Sequence, residues 1–275
     1  MSGHYVRVIF LQIKYLQLIA AYIKYLLLSG NEHSIHSPFL FDLYTQIIVP
    51  GKDKNPDYSD LKVLRNELLK SDKEIEILDL GAGSRVNKSN LRKIKTIAKN
   101  AEKPEKFGKL FNRLIRKFQP KTILELGTSL GLTTLYMSRA KPDSHIFSFE
   151  GCPETAKIAR QNFTKLGADN IEVIVGNIDE TLSLELEKLN TSLDYAYFDA
   201  NHRYEPTVRY FETCLPYANN DSLFIFDDIY WSSEMTKAWE HIKAHPKVTL
   251  TVDLFWIGLV FFRKEQVKED FTLRF

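Results

Sequence analysis

The sequence predicts an α/β chain with a mostly parallel sheet and helices on both faces. Three observations point there. From Pro104 onward, short β-branched and aromatic runs alternate with stretches of helical length. The runs finish at or beside an acid or a glycine, namely Glu125, Glu150, Gly176, Asp199 and Asp227. The chain then closes on two apolar runs, 248–254 and 257–263, with almost no room between them, which requires an antiparallel pair.

The elements follow in order. Residues 5–28 form an apolar, Tyr-rich helix with Arg7, Lys14, Gln17 and Lys24 on one side. Its longest unbroken apolar run, Leu18 to Ile23, is too short to span a bilayer, and Ser29-Gly30-Asn31 stops it. The wide apolar face predicts packing on the body or on a second subunit, a homodimer. The absence of acids in residues 1–28 leaves a membrane-surface helix as the sharper alternative. His33 and His36 stand three apart with no third ligand at helical spacing, so capping or pocket-wall roles are expected. Ser37-Pro38 starts a helix, a capping hydroxyl before an N1 proline. Residues 79–85 hold a second glycine loop, Gly81-Ala82-Gly83, without a following strand that ends in an acid, and read as part of an N-terminal cap bordering the substrate. Phe107, Leu110, Phe111, Leu114, Ile115 and Phe118 mark a helix that Gln119-Pro120 stops.

The regular part is strand 122–126, helix 132–140, strand 146–150, helix 153–166, strand 171–175, helix 179–189, strand 194–199, helix 205–217, strand 222–227 and helix 233–244, then the closing pair. The domain reading is a helical extension at 1–102, with the apolar helix 5–28, and a catalytic domain at 103–275. A basic segment, 85–121, leads from one into the other. It carries thirteen lysines or arginines against two acids, Glu102 and Glu105, a local charge of +11 within a chain of +2. The near-neutral whole predicts no nucleic-acid partner, and the basic segment reads as a solvated face, with membrane contact as the rival. Cys152 and Cys214 form no metal pattern and suit a reduced, cytoplasmic chain, peripheral to a membrane if the first helix docks there.

In an open α/β sheet the ligand lies at the carboxyl ends of the strands. The loop after the first core strand is E-x-G-x-x-x-G, with Glu125, Gly127, Thr128, Ser129 and Gly131. A dinucleotide loop needs a glycine where Ser129 stands, so this loop suits a nucleoside ligand without phosphates, its glycines admitting the ligand. Glu150, 19 residues after Gly131, is placed to accept both hydroxyls of a ribose. Asp199, Asp227 and Asp228 converge from neighbouring strands. Three acids together call for a cation, Mg²⁺ first for oxygen donors, or a proton on one of them; the bland alternative is acids that cap strand ends and helix starts. His202, three residues past Asp199, is a candidate general base.

These residues resemble a family. Ile123-Leu124-Glu125-Leu126-Gly127, Ile146 to Glu150, Val173 to Gly176, Tyr197-Phe198-Asp199 and Phe226-Asp227-Asp228 are similar in order and spacing to class I S-adenosylmethionine-dependent methyltransferases, most closely the catechol O-methyltransferase-like group. The resemblance implies a Rossmann-like seven-stranded sheet whose last strand runs antiparallel. It implies that Glu125, Gly127 and Thr133 line the methionine end of S-adenosylmethionine, that Glu150 binds ribose, and that Asn177 and Ile178 lie beside adenine. Gly176 and Asp199 complete that cofactor set. Asp199, Asp227 and Asp228 would hold Mg²⁺, with Asp199 and His202 as the catalytic pair. The catechol enzymes carry a lysine at the place of His202 and an asparagine at that of Asp228. The Asp-x-x-His arrangement with paired acids looks more like metal-dependent enzymes that methylate sugar hydroxyls. The implied acceptor is therefore a hydroxyl of a small molecule, a vicinal diol, sugar or phenol. Two rivals stand beside it: a non-catalytic or membrane-docked protein that keeps the cofactor fold, and an NAD-type oxidoreductase, which Ser129 and the closing hairpin disfavour.

Overall fold

The computed structural model describes residues 16–51, 56–78, 90–189 and 191–275. The first part of the predicted apolar helix and the Gly81-Ala82-Gly83 loop lie outside the described residues. Among those described, no helix is long and apolar enough to cross a membrane.

The N-terminal part begins with helix α1 (16–28). Helix α2 (Pro38–Asp42) follows, its Leu40 N–H donating to the Ser37 hydroxyl, and runs into a wider π-type turn over Leu43–Ile48. Then come α3 (Ser59–Lys70), β1 (Glu74–Glu76), β2 (Leu91–Lys93) and α4 (Ile94–Asn100), with β1 and β2 paired antiparallel. The extension is thus not purely helical. Its strands are three residues each, too short for a period-2 pattern to register. Its apolar side, Leu61, Leu64, Ile75, Ile94 and Ile97, packs on Leu132, Leu135 and Tyr136 of the core.

The core runs α5 (Glu105–Phe118), β3 (Thr122–Leu126), α6 (Leu132–Ala140), β4 (His145–Glu150), α7 (Pro153–Lys165), β5 (Ile171–Val175), α8 (Ile178–Lys188), β6 (Leu193–Phe198), α9 (Tyr204–Cys214), β7 (Ala218–Asp227), α10 (Ser233–Ala244), β8 (Leu250–Asp253), β9 (Ile257–Phe261) and β10 (Glu269–Thr272). The sheet order is β10-β8-β9-β7-β6-β3-β4-β5. Strand β9 is antiparallel to both its neighbours, and the other pairings are parallel. The sheet therefore has eight strands where seven were expected, and the antiparallel strand is neither last in the chain nor at the edge. The extra edge strand β10 is Glu-Asp-Phe-Thr, polar and half exposed, so no hydrophobic pattern announces it.

Both sheet faces are covered. On one, Phe107, Leu110, Phe111, Leu114 and Ile115 of α5 meet Ile123, Tyr195, Tyr197 and Ile225, with Leu40, Leu43, Tyr44 and Ile48 from the N-terminal part in the same cluster. On the other, Leu124, Leu126, Phe198 and Phe226 meet Phe211, Trp239 and Ile242. Each such side chain contributes about 1.5–3 kcal/mol on burial. The strand registers set what emerges from the sheet. Leu126 pairs with Phe149 and Phe198, and Phe198 with Phe226. The next residues, Gly127, Glu150, Asp199 and Asp227, therefore stand level across four neighbouring strands.

Candidate active site

The loop after β3 is held by protein contacts. Gly127 has φ +106°, and a Cβ there would lie 2.3 Å from the Asp199 carbonyl oxygen. A Cβ on Gly131, at φ +83°, would lie 2.4 Å from the Phe163 ring. The glycines were expected to make room for a ligand; the closest obstacles to a side chain are instead the next strand and helix α7. Ser129 also takes a left-handed φ of 50°. Its N–H donates to Glu150 Oε2 and the Cys152 N–H to Oε1, both at 2.9 Å. Burial raises the Glu150 carboxyl, while these N–H groups pull it down. Each oxygen keeps a lone pair for a hydroxyl, and the residue is only half buried.

Glu125 lies deeper. It is fully buried, and Thr134 and Ser148 each donate to Oε2 at 2.5 Å, while Oε1 has no partner. Burial pushes its carboxyl up to about 8, against the pull of those two hydroxyls. Thr128 turns inward as well, 2.6 Å from the Ser148 hydroxyl. Thr133 lines a small cavity shared with Arg65, Lys103 and Tyr136. Gly176 takes φ +143°, and Asn177 caps α8, accepting from the Asp179 N–H at 3.1 Å. Ile178, at the start of α8, is partly buried.

The acids at the ends of β6 and β7 form the second half. Tyr197 donates to Asp199 Oδ2 at 3.0 Å, and His202 Nε2 lies 3.5 Å from Asp199 Oδ1. Ligand atoms of Asp199, His202 and Asp227 lie within 4.8 Å of one another. Asn201 and His202 have φ of 62° and 25°, so the loop aims the imidazole through backbone that L-residues rarely adopt. Asp228, at φ 52°, faces Lys103, whose Nζ lies 3.0 Å from Asp228 Oδ1 and 2.5 Å from Asp227 Oδ2. Burial pushes Asp199 up to about 6 against the pull of Lys103. Asp227 is raised well above the carboxylate range by burial and by Asp199 beside it. Burial works against the Lys103 charge, but Asp227, Asp228 and Asp199 outweigh it and hold the ammonium above the ordinary lysine range.

Two residues of this site were not singled out from the sequence. Glu102 Oε1 accepts the Leu130 N–H at 2.9 Å, and burial pushes its carboxyl up to about 7. Lys103 follows it into the acid cluster. Both sit in a lysine-rich segment that reads as solvated. The available signal was that one of the segment's two acids stands beside Lys103, just before Pro104 and the first core helix. His33 and His36 are exposed.

Comparison with known proteins points to methyltransferases. Residues 124–229 match the family model described as a methyltransferase domain. The chain is 26% identical over 181 residues to a catechol O-methyltransferase of Mycobacterium tuberculosis, covering 65% of this chain and 76% of that protein. It is 28% identical over 124 residues to a catechol O-methyltransferase of Niastella koreensis, covering 44% of this chain and 55% of the relative. Among solved structures, an O-methyltransferase from Bacillus cereus in complex with SAH has a TM-score of 0.52 at 21% identity, over 59% of this chain and 83% of that one. An O-methyltransferase from Streptomyces achromogenes, in complex with SAM, has a TM-score of 0.52 at 19% identity, over 60% and 82%. At those identities the structures speak for the fold, and the family model and the sequence relatives carry the rest. The family model and the sequence relatives together support a class I S-adenosylmethionine-dependent O-methyltransferase.

Proposed function

We propose that the chain methylates a hydroxyl of a small molecule, a vicinal diol, sugar or phenol, with Glu150 on the cofactor ribose and the Asp199–His202 pair at the acceptor. The observation that carries this reading is the level row of Gly127, Glu150, Asp199 and Asp227, which sets a nucleoside-type acid two strands from an acid–imidazole pair. S-adenosylmethionine supplies a methyl group on a sulfonium, and its transfer to the hydroxyl oxygen leaves S-adenosylhomocysteine. The chain's share is positioning and proton removal. His202, oriented by Asp199 at 3.5 Å, takes the hydroxyl proton as the oxygen–carbon bond forms.

The carboxylate oxygens of Asp199 and Asp227, with Asp228 adjacent and His202 beside them, suit a hard divalent ion such as Mg²⁺. The buried Asp227 Oδ1, which has no hydrogen-bond partner, supports that fit. When bound, such an ion would acidify the acceptor hydroxyl. The free, buried Cys152 and Cys214 support a reducing, cytoplasmic location. Leu16, Ile19, Ile23 and Leu27 stand exposed along α1 and support contact with a lipid surface, which vesicle sedimentation tests. A homodimer through that face is the competing outcome, read by ultracentrifugation.

Calorimetry with S-adenosylhomocysteine and NAD side by side tests the cofactor. The former is expected to bind, and Glu150→Gln to weaken it by about tenfold or more, the loss of a charge-assisted hydrogen bond. Binding of NAD alone would overturn the reading.

A further inference from the structure

Lys103 stands where a cation bound by the acid cluster would stand. Its Nζ is 2.5 Å from Asp227 Oδ2 and 3.0 Å from Asp228 Oδ1. Asp227 is 1% exposed, and neither of its oxygens accepts a hydrogen bond in good geometry. The Lys103 ammonium is the cation that meets this carboxyl, 2.5 Å from Oδ2. A divalent ion binds carboxylate oxygen at about 2.0–2.1 Å if it is Mg²⁺. Any ion on Asp227 Oδ2 would then lie within about 4.6 Å of the ammonium, given the 2.5 Å contact. Both are positive, both are largely out of water, and both need the same oxygens. The site has room in charge and in donors for one of them.

The backbone around Lys103 makes the ammonium a built feature of the site. The preceding residue, Glu102, is 8% exposed and accepts the Leu130 N–H at 2.9 Å, on the loop after β3. The following residue is Pro104, which fixes the entry into α5. Residues 102–104 thus reach both halves of the site: a carboxylate on the glycine loop and an ammonium on the acids.

We propose that the Lys103 ammonium is the resident cation of the Asp199–Asp227–Asp228 cluster and competes directly with a divalent ion for it. The inference rests on the reading of that cluster as a cation site. Lys103 lowers the apparent affinity for metal, and metal binding requires the side chain to swing out. Because Glu102 is anchored on the loop after β3, that swing occurs about a pinned backbone, beside the cavity lined by Arg65, Thr133 and Tyr136.

The test is Mn²⁺ binding, followed by electron paramagnetic resonance, on the full chain. It uses the wild type and Lys103→Met, Lys103→Gln and Lys103→Arg. Calorimetry with S-adenosylhomocysteine and circular dichroism establish that each variant is folded. Lys103→Gln keeps a donor for the acids if Lys103→Met does not fold. The neutral variants are expected to bind Mn²⁺ at least tenfold more tightly than the wild type. Lys103→Arg, which keeps the charge, is expected to stay weak. The gain is expected to vanish in Lys103→Gln combined with Asp227→Asn, which ties it to this cluster. Equal affinity in wild type and neutral variants overturns the competition and leaves the cation site standing. Absence of Mn²⁺ binding in every folded variant overturns both the metal part of the proposed function and this inference.

Discussion

A carboxyl group shut away from water keeps its proton unless partners replace the lost hydration. Glu125 shows the balance. Two hydroxyls donate to one oxygen, the other has none, and the carboxyl is held at about 8 from an ordinary 4.5. A raised acid binds its proton more tightly in the folded state. Between about 4.5 and about 8 the folded chain therefore holds a proton that the unfolded chain has lost, and stability falls as pH rises through that window. One such group gives a slope of at most about 1.4 kcal/mol per pH unit. Urea unfolding at pH 5.5 and 7.5 is expected to show a shallower loss for Glu125→Gln than for the wild type, with the remainder due to the other carboxyls that burial raises, Glu102, Glu150, Asp199 and Asp227 among them; identical slopes would contradict the burial argument. At His202 the expectation is kinetic. Removing a general base costs roughly 10²–10⁴ in rate. His202→Ala should lower kcat on that scale while S-adenosylhomocysteine affinity, read by calorimetry, stays within about twofold, because the proposed role of the imidazole is toward the acceptor and not the cofactor.

At the scale of elements, the turns after β3, β6 and β7 carry the unusual backbone. Gly127, Ser129, Asn201, His202 and Asp228 all have positive φ, and all flank the level ends of the strands. Strain of this kind persists where the surrounding fold overdetermines it. At Gly127 the limit is steric, since a Cβ would strike the Asp199 carbonyl oxygen. Gly127→Ala combines a left-handed alanine with a backbone clash, and is expected to cost about 2–4 kcal/mol. Thermal and urea unfolding would measure it, and a cost under about 0.5 kcal/mol would contradict the contact. The glycine spacing was legible as a turn, but whether the glycine admits a ligand or a neighbouring strand depends on β6, about seventy residues away in sequence.

At the scale of the molecule, the two ends of the described chain are tied together. The Tyr25 hydroxyl donates to the Leu273 carbonyl at 2.6 Å and accepts the Phe275 N–H at 3.1 Å. Gly30 pairs with Leu273 as one further step of sheet, and Tyr22 and Tyr25 pack on Phe255 at 4.8 and 5.3 Å. This tie continues β10 toward the N-terminal part. Tyr25→Phe leaves the buried Leu273 carbonyl short of a donor, a cost of about 1–3 kcal/mol. Amide exchange is expected to quicken over 269–275 while β3 and β6 stay protected; unchanged exchange there would mean that the tie does not hold the edge.

By itself the sequence determined the alternation of strand and helix, and with it the order of Glu125, Glu150, Asp199 and Asp227 at strand ends. Those follow from local periodicity and from the rule that ligands gather at carboxyl ends of parallel strands. The matching domain and relatives agree with the methyltransferase reading drawn from those residues. The tertiary structure alone decided that Glu125 and Thr128 turn inward, that β10 extends the sheet, and that Lys103 reaches the acids of β7. Each of these depends on what a distant segment brings within about 3 Å, and a polar residue in a lysine-rich stretch carries no mark of the carboxylates it will meet.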